Sequence, residues 1–332
     1  MFKFLSMFTK ALGSPEPNFT CRKFIADPDA PQTLHFFISR SWDQFEEKLM
    51  NLSFIRQYHS LEMLIEHTGF DHFFGLYKKE RVESPLIPFI EGHELVRRAY
   101  QHRGTAVSSI TSNEQFESFG RILARAEEVN LKAAQVYPGN PIVFFNLILG
   151  FGGRRMDEET LLILCAKMER ASAGFYPGIN QVMTFLAPKW GGTRESMFAF
   201  ARDKASGPER GSFLTTLIAN AHIEEWGQLL LEEKKEAAAQ YFKRPEVFQS
   251  LAEAYQKSQP FTDNVEPWQH ARFYNSFGFC LQMMGQSEDV AFVMEKLGTA
   301  VTQFPWHFLG ESPEQTIYSV RLNAGLNPNP DK

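Results

Sequence analysis

Apolar residues recur along most of this chain in steps of three and four. Between Glu114 and Tyr137 they fall at Phe116, Phe119, Ile122, Leu123, Ala126, Val129, Ala133 and Val136, which winds one buried stripe around a helix. Ser112 with Gln115 three positions later predicts a capping box at its start, and Pro138-Gly139 its end. A second stripe runs through Leu161, Leu164, Cys165, Met168, Ala171 and Phe175. Asp157-Glu158-Glu159 opens it, and the pattern predicts closure at Pro177-Gly178. Further helices are predicted at about 194–204, 213–231, 246–257, 268–284, 288–304 and 314–324, and nearer the N-terminus at 42–50, 54–67 and 94–102. Pro245 and Pro267 suit first turns, and Gly285 and Gly325 suit C-terminal ends. Glu80 to Glu91, carrying Pro85 and Pro88, reads as a loop. Strand content is predicted to be minor.

Two landmarks recur at one offset. Tyr137-Pro138-Gly139 returns 39 positions later as Tyr176-Pro177-Gly178, Gly152-Gly153 returns as Gly191-Gly192, and Leu147 corresponds to Leu186. The pattern predicts a unit of long helix, Tyr-Pro-Gly break, shorter helix and Gly-Gly turn. A single helical hairpin cannot bury its own apolar face, so such units stack on their neighbours. The expected fold is therefore all-α: stacked antiparallel helical hairpins in a tetratricopeptide-like α-solenoid.

Composition supports a large core. The chain has 332 residues, 43% hydrophobic and 22% charged, with 32 Phe. Phe buries a wide apolar area without a polar atom to satisfy. A net charge of −5 without a basic tract argues against nucleic-acid binding. Cys21, Cys165 and Cys280 lie far apart without a C-x-x-C pair, and the last two sit inside apolar helical runs. They read as small buried hydrophobes in a reducing compartment. The opening MFKFLSMFTKALG is too short and interrupted for a secretory leader and suits an amphipathic helix docked on the body. No stretch of about 18 uncharged apolar residues suggests a membrane span. The expected location is the cytoplasm, and no residue pattern specifies an oligomeric state.

From His93 to Trp226 the chain resembles the bacterial Domain of Unknown Function 4034 family. The resemblance rests on Ala99-Tyr100-Gln101-His102-Arg103-Gly104, Phe185-Leu186-Ala187-Pro188-Lys189-Trp190-Gly191-Gly192, Met197-Phe198-Ala199-Phe200-Ala201-Arg202 and Ala221-His222-Ile223-Glu224-Glu225-Trp226. Arg244-Pro245-Glu246-Val247 through Gly285 is similar to the family's tail of tetratricopeptide-like helices. The resemblance covers most of the chain after Glu91. With the 39-residue spacing it divides the chain into an N-terminal helical region over 1–90, a family-like core with 39-residue helical repeats over 91–232, and tetratricopeptide-like helices over 233–332. It brings no established activity.

Candidate chemistry is sparse. In Pro188-Lys189-Trp190-Gly191-Gly192-Thr193-Arg194, two glycines ahead of a helix could expose backbone N–H groups, with Lys189, Trp190 and Arg194 meeting an anion or a partner. The simpler account is a tight turn with Trp190 plugging a gap. Gly150-Phe151-Gly152-Gly153-Arg154-Arg155 follows a helix rather than a strand and lacks the Lys-Ser/Thr ending of a phosphate loop. His222, Glu225 and Arg202 are the candidates for acid–base chemistry. His222 lies on the apolar face with Ile218, Trp226 and Leu229, where a satisfied core histidine is the commoner outcome. The H-E-x-x-H zinc pattern is missing. The preferred account is a buried polar network joining Arg202, His222 and Glu225. His102-Arg103-Gly104 suits a helix C-terminal end, and Glu232 to Glu236 a solvated helix face. No metal or cofactor is expected. The function expected from fold analogy is a non-enzymatic protein-interaction module holding a protein or peptide partner, in its specific form an immunity-type or accessory protein bound to one effector. The competing expectation is an enzyme with a pocket near Trp190, Arg202, His222 and Glu225.

Overall fold

The computed structural model describes residues 16–25, 27–103, 112–154, 157–207, 212–258, 265–310 and 312–330, and among these it is all-α. The N-terminal MFKFLSMFTKALG, together with Gly104 and Arg155 of the candidate motifs, lies outside the described residues. The chain forms two compact units. Ala26–Thr193 is one; Met1–Ile25 together with Arg194–Lys332 is the other. The regional break anticipated at 90/91 falls inside a helix, and that at 232/233 falls inside the second unit.

The first unit holds α1 (Ala30–Ile38), α2 (Trp42–Asn51), α3 (Phe54–Glu66), α4 (Phe70–Glu80), α5 (Leu86–Arg103), α6 (Asn113–Val136), α7 (Pro141–Gly153), α8 (Glu158–Ala171) and α9 (Tyr176–Phe185). The striped helix forms as its pattern predicts. Ser112 Oγ accepts the Gln115 N–H at 3.2 Å while the Gln115 side chain accepts the Ser112 N–H at 3.0 Å, so two orphan donors are satisfied at once. α6 packs along α5 and α7, α7 on α8 and α9, and α8 on α9. Nearer the start, Phe37 is ringed by Trp42, Phe45, Phe70, Phe73 and Tyr77, with centroids 5.0 to 6.4 Å away. These are spacings at which aromatic edges and faces attract.

Three expectations are corrected here. The loop over 80–91 is much shorter, because α5 already starts at Leu86 and Pro88 sits in its first turn, where a missing N–H breaks no helical bond. The stripe after Asp157 does not run to Pro177-Gly178. α8 ends at Ala171, Gly174 turns the backbone at φ +74°, and Tyr176-Pro177-Gly178 forms the first turn of α9. The two Tyr-Pro-Gly copies therefore do opposite things, since Tyr137 caps the C-terminus of α6. The Tyr-Pro-Gly turns thus differ in backbone, although each copy stands between a longer helix and a shorter one.

The second unit holds α10 (Arg194–Ala205), α11 (Thr216–Leu231), α12 (Lys235–Tyr241), α13 (Pro245–Ser258), α14 (Pro267–Met284), α15 (Ser287–Leu297) and α16 (Pro313–Asn323). α11 packs against α10, α12, α13 and α14, and α14 against α15. Pro245 and Pro267 open their helices, and Gly285 ends α14 at φ +76°. The run Glu232 to Glu236 is not one helix face. Glu233 takes φ +58°, and Lys234 N–H closes on Leu229 O at 2.9 Å, so Glu232 to Lys234 turn between α11 and α12, while Lys235 and Glu236 open α12. α15 stops at Leu297 rather than at Phe304, because Gly298 turns at φ +52°. The following segment instead pairs with Arg22, whose N–H donates to Val301 O and whose carbonyl accepts from Gln303 N. Asn275 of α14 ties that segment down. Its amide donates to Ala271 O and Ala300 O, and its oxygen accepts from Thr302 N and Trp306 Nε1, all within 2.7 to 3.2 Å.

Candidate functional site

The second unit holds His222, Glu225 and Arg202, while Trp190 belongs to the first. α11 carries His222 on its buried face, 4% exposed. Its Nδ1 meets the Tyr241 hydroxyl at 2.8 Å and its Nε2 the Ser250 hydroxyl at 3.0 Å. Both ring nitrogens are thereby occupied, by side chains of α12 and α13. Burial, reinforced by Arg194 and Arg202, pulls its pKa down to about 3, so the ring is neutral at physiological pH. A general base needs an accessible lone pair near a substrate proton. This histidine has none to offer.

The expected Arg202–His222–Glu225 network does not form. Glu225 instead pairs with Arg194, Nε to Oε1 at 3.1 Å. Burial raises the Glu225 carboxyl, although Arg194 pulls the other way. Arg202 lies over the Phe198 ring at 5.8 Å, with Arg194 over the same ring at 5.2 Å. The Phe198 and His222 rings meet edge to face at 4.9 Å, His222 and Tyr241 at 5.9 Å, and Arg244 lies over Tyr241 at 5.2 Å. An aromatic row, Phe198–His222–Tyr241, is thus flanked by guanidinium groups at both ends. Arg202 is exposed and Arg244 half-buried, and neither forms a salt bridge among the described residues. A guanidinium over a ring keeps its fork of N–H donors free for a carboxylate or phosphate.

The Pro-Lys-Trp-Gly-Gly segment is a short 3-10 turn, Pro188–Trp190. Lys189 is exposed. Trp190 stands edge-on to Phe185 at 5.0 Å, and the Arg103 guanidinium lies 4.9 Å from its ring centre. Gly191 takes φ +98°, closed to side chains, and donates to Pro188 O at 2.9 Å. A Cβ at Gly192 would stand 2.1 Å from the Leu186 carbonyl oxygen. The glycines serve a tight turn. Gly192 N–H donates to Ala187 O, so neither glycine holds its N–H out to an anion. Gly152-Gly153 ends α7, packed on Phe185 and on Tyr100, Phe119 and Leu123. A helix C-terminus presents carbonyls and repels phosphate.

A more elaborate polar cluster lies in the first unit. His93 of α5 is fully buried, with Nδ1 at 2.8 Å from Asn146 Oδ1 and Nε2 at 3.1 Å from Glu62 Oε1. Arg97 pairs with the other Glu62 oxygen at 2.8 Å. Asn146 donates to Asn130 Oδ1 at 3.0 Å, and Asn130 donates to Gly92 O and Ala126 O. Because Asn130 spends its N–H groups on carbonyls, its oxygen faces Asn146, and the Asn146 oxygen in turn faces the ring. His93 therefore donates to Asn146, and its Nε2 lies against a carboxylate. Burial pushes Glu62 up, but Arg97 and His93 outweigh it and hold the carboxyl below its ordinary range. The visible signal in sequence was Asn146, a single amide in the apolar run from Ile142 to Leu149. Such a residue on a buried helix requires partners.

Cys21, Cys165 and Cys280 are buried free thiols. Burial, helped by Glu314, pushes Cys21 up to about 12, and burial also raises Cys280. Thiolate chemistry is remote for both. Among the described residues no helix is long and apolar enough to cross a membrane, and no group of His, Cys, Asp and Glu is arranged to hold a metal. No protein-family model, curated protein or solved structure matches the chain.

Proposed function

We propose that the chain is a non-enzymatic protein-interaction module of a bacterial cell, an immunity-type or accessory protein that holds one effector through an acidic segment. The bacterial setting rests on the resemblance to the Domain of Unknown Function 4034 family. Consecutive helices that pack on their sequence neighbours, α5 to α9 above all, favour a stack of tetratricopeptide-like hairpins within a unit. The observation that carries the reading is the row Arg202–Phe198–His222–Tyr241–Arg244. Its interior polar atoms are spent on hydroxyls, while Arg202 and Arg244 form no salt bridge among the described residues. Such a surface is preformed, so binding requires little ordering, and charge complementarity selects the partner and speeds encounter.

Affinity capture from a bacterial lysate tests this. The wild-type protein is expected to recover a partner whose retention weakens as salt rises. The double variant Arg202→Glu, Arg244→Glu is expected to lose it while keeping the wild-type circular dichroism spectrum. Trp190→Ala, run alongside, asks whether the other unit takes part. Recovery of no partner, or equal recovery by the charge-reversed protein, would remove the reading.

A further inference from the structure

Arg194, Phe198 and Arg202 follow one another in steps of four along α10 and so share one face of it. Both guanidinium groups lie over the Phe198 ring, 5.2 and 5.8 Å from its centre. Two cations over one ring repel each other. Glu225 of α11 offsets that repulsion, with Oε1 standing 3.1 Å from Arg194 Nε. The Glu225 side chain is 13% exposed and that of Arg194 50%, so the carboxylate sits inward and the arginine above it at the surface. Arg244, just before α13, also acts on this carboxylate, and Arg194 and Arg244 both act on the Tyr241 hydroxyl. Glu225 therefore lies in the field of the same arginines that cover the row Phe198–His222–Tyr241.

Charge on this surface is unbalanced. Among the described residues, Glu225 is the only carboxylate in an ion pair with Arg194, Arg202 or Arg244. Glu195 and Asp203 each follow an arginine by one position, about 100° around the helix, and Asp203 stands 3.7 Å from Lys204. Glu232, which also acts on Glu225, pairs with Lys234 at 2.7 Å. Glu246 lies in the first turn of α13, where it suits the positive pole of that helix. One carboxylate thus stands among three arginines.

We infer that Glu225 is an internal competitor at the partner surface: its carboxylate holds Arg194, and a carboxylate of the partner gains that arginine only by displacing it. The inference rests on the reading that Arg202 and Arg244 hold an acidic segment. Exchanging one carboxylate for another leaves the number of ion pairs unchanged, so Arg194 adds nothing to affinity while Glu225 is charged. Neutralising Glu225 turns Arg194 into a third anchor beside the other two. The pair is half in solvent on its arginine side, so its worth is at most about fivefold in an equilibrium constant.

Fluorescence anisotropy of a labelled hexaglutamate peptide titrated with the full chain tests this. Physiological ionic strength suits it, because charges more than about 8 Å apart are then screened. The wild type is expected to bind, and Glu225→Gln to bind about three- to fivefold more tightly. Glu225→Ala, which lacks the amide as well, is expected to show the same gain. Arg194→Gln with Glu225→Gln removes the pair at constant net charge and is expected to restore the wild-type affinity. Glu232→Gln removes an equal charge beside the pair without releasing Arg194, and its gain is expected to be clearly smaller. Each variant is first checked for the wild-type circular dichroism spectrum. Three outcomes would overturn the inference: no gain on neutralising Glu225, an equal gain from Glu232→Gln, or a gain that persists without Arg194. If Arg202→Glu with Arg244→Glu still abolishes binding in those cases, the reading of the surface as acid-binding survives. Binding by neither the wild type nor Glu225→Gln would remove that reading and the inference together.

Discussion

His93 and His222 are both buried histidines on central helices, each with both ring nitrogens occupied, and they sit in opposite electrical surroundings. His93 is matched by a carboxylate that is itself paired with Arg97. His222 is matched by two hydroxyls, with Arg194 and Arg202 nearby and Glu225 of the same helix paired with Arg194. One unit thus keeps an ionic network in its interior, and the other keeps a neutral one with its cations turned outward. A buried charge must be compensated inside. A neutral ring leaves neighbouring arginines available to a partner. The side chain is the same, and the third residue in contact decides whether the cluster serves the core or leaves charge at the surface.

Breaking the ionic network should have the largest effect. Glu62→Ala leaves Arg97 without its carboxylate and His93 Nε2 without its partner. It is expected to destabilise the first unit by about 3 kcal/mol, the low end for a buried pair because Arg97 reaches solvent, read by chemical denaturation. Acid should separate the two clusters next. The neutral His222 has a folded pKa of about 3 against an ordinary 6.5, so the unfolded chain takes up the proton first as pH falls. Its contribution is complete above pH 6.5 and declines by about 1.4 kcal/mol per pH unit below it. His270, also lowered by burial and by Lys296, adds a loss of the same sign. Glu62 is lowered from 4.5, so its contribution begins to fall only below pH 4.5. Hydrogen exchange at pH 5.5 should therefore accelerate in α11 before α5, and His222→Phe should flatten most of that dependence. Equal acceleration in both helices would dissolve the contrast.

Asn146→Leu removes the acceptor for His93 Nδ1 and the donor for Asn130, and an unsatisfied buried group costs about 1–3 kcal/mol. Thermal unfolding measures it. Tyr241→Phe takes only a hydroxyl from His222 and should cost about 1 kcal/mol. If it matched Glu62→Ala, the neutral network would be no weaker than the ionic one.

The helices were legible wherever their determinants are local. Ser112 and Gln115 lie three positions apart, and the capping box forms between them. Pro267 opens α14, and Gly285 closes it. Errors arose where one residue type serves two ends of a helix. Pro177-Gly178 reads as a stop yet starts α9, and Pro88 reads as a loop yet lies in the first turn of α5. The stop before α9 came from Gly174 instead. The clusters were beyond reach for another reason. His222 takes partners 19 and 28 positions away, and His93 takes its partners 31 and 53 positions away. Helical periodicity places a side chain on a face, but tertiary packing chooses what it meets.

Asn275 bears on how the chain would behave towards a protease. The stretch after Gly298 is irregular backbone, the kind of segment that endoproteases usually enter. Here three hydrogen bonds from one side chain hold it to α14, at Ala300 O, Thr302 N and the Trp306 indole. The Thr302 amide should exchange as slowly as those of the neighbouring helix, because it opens only when Asn275 releases it. Limited digestion should therefore spare this loop, and Asn275→Ala should turn it into a cleavage site.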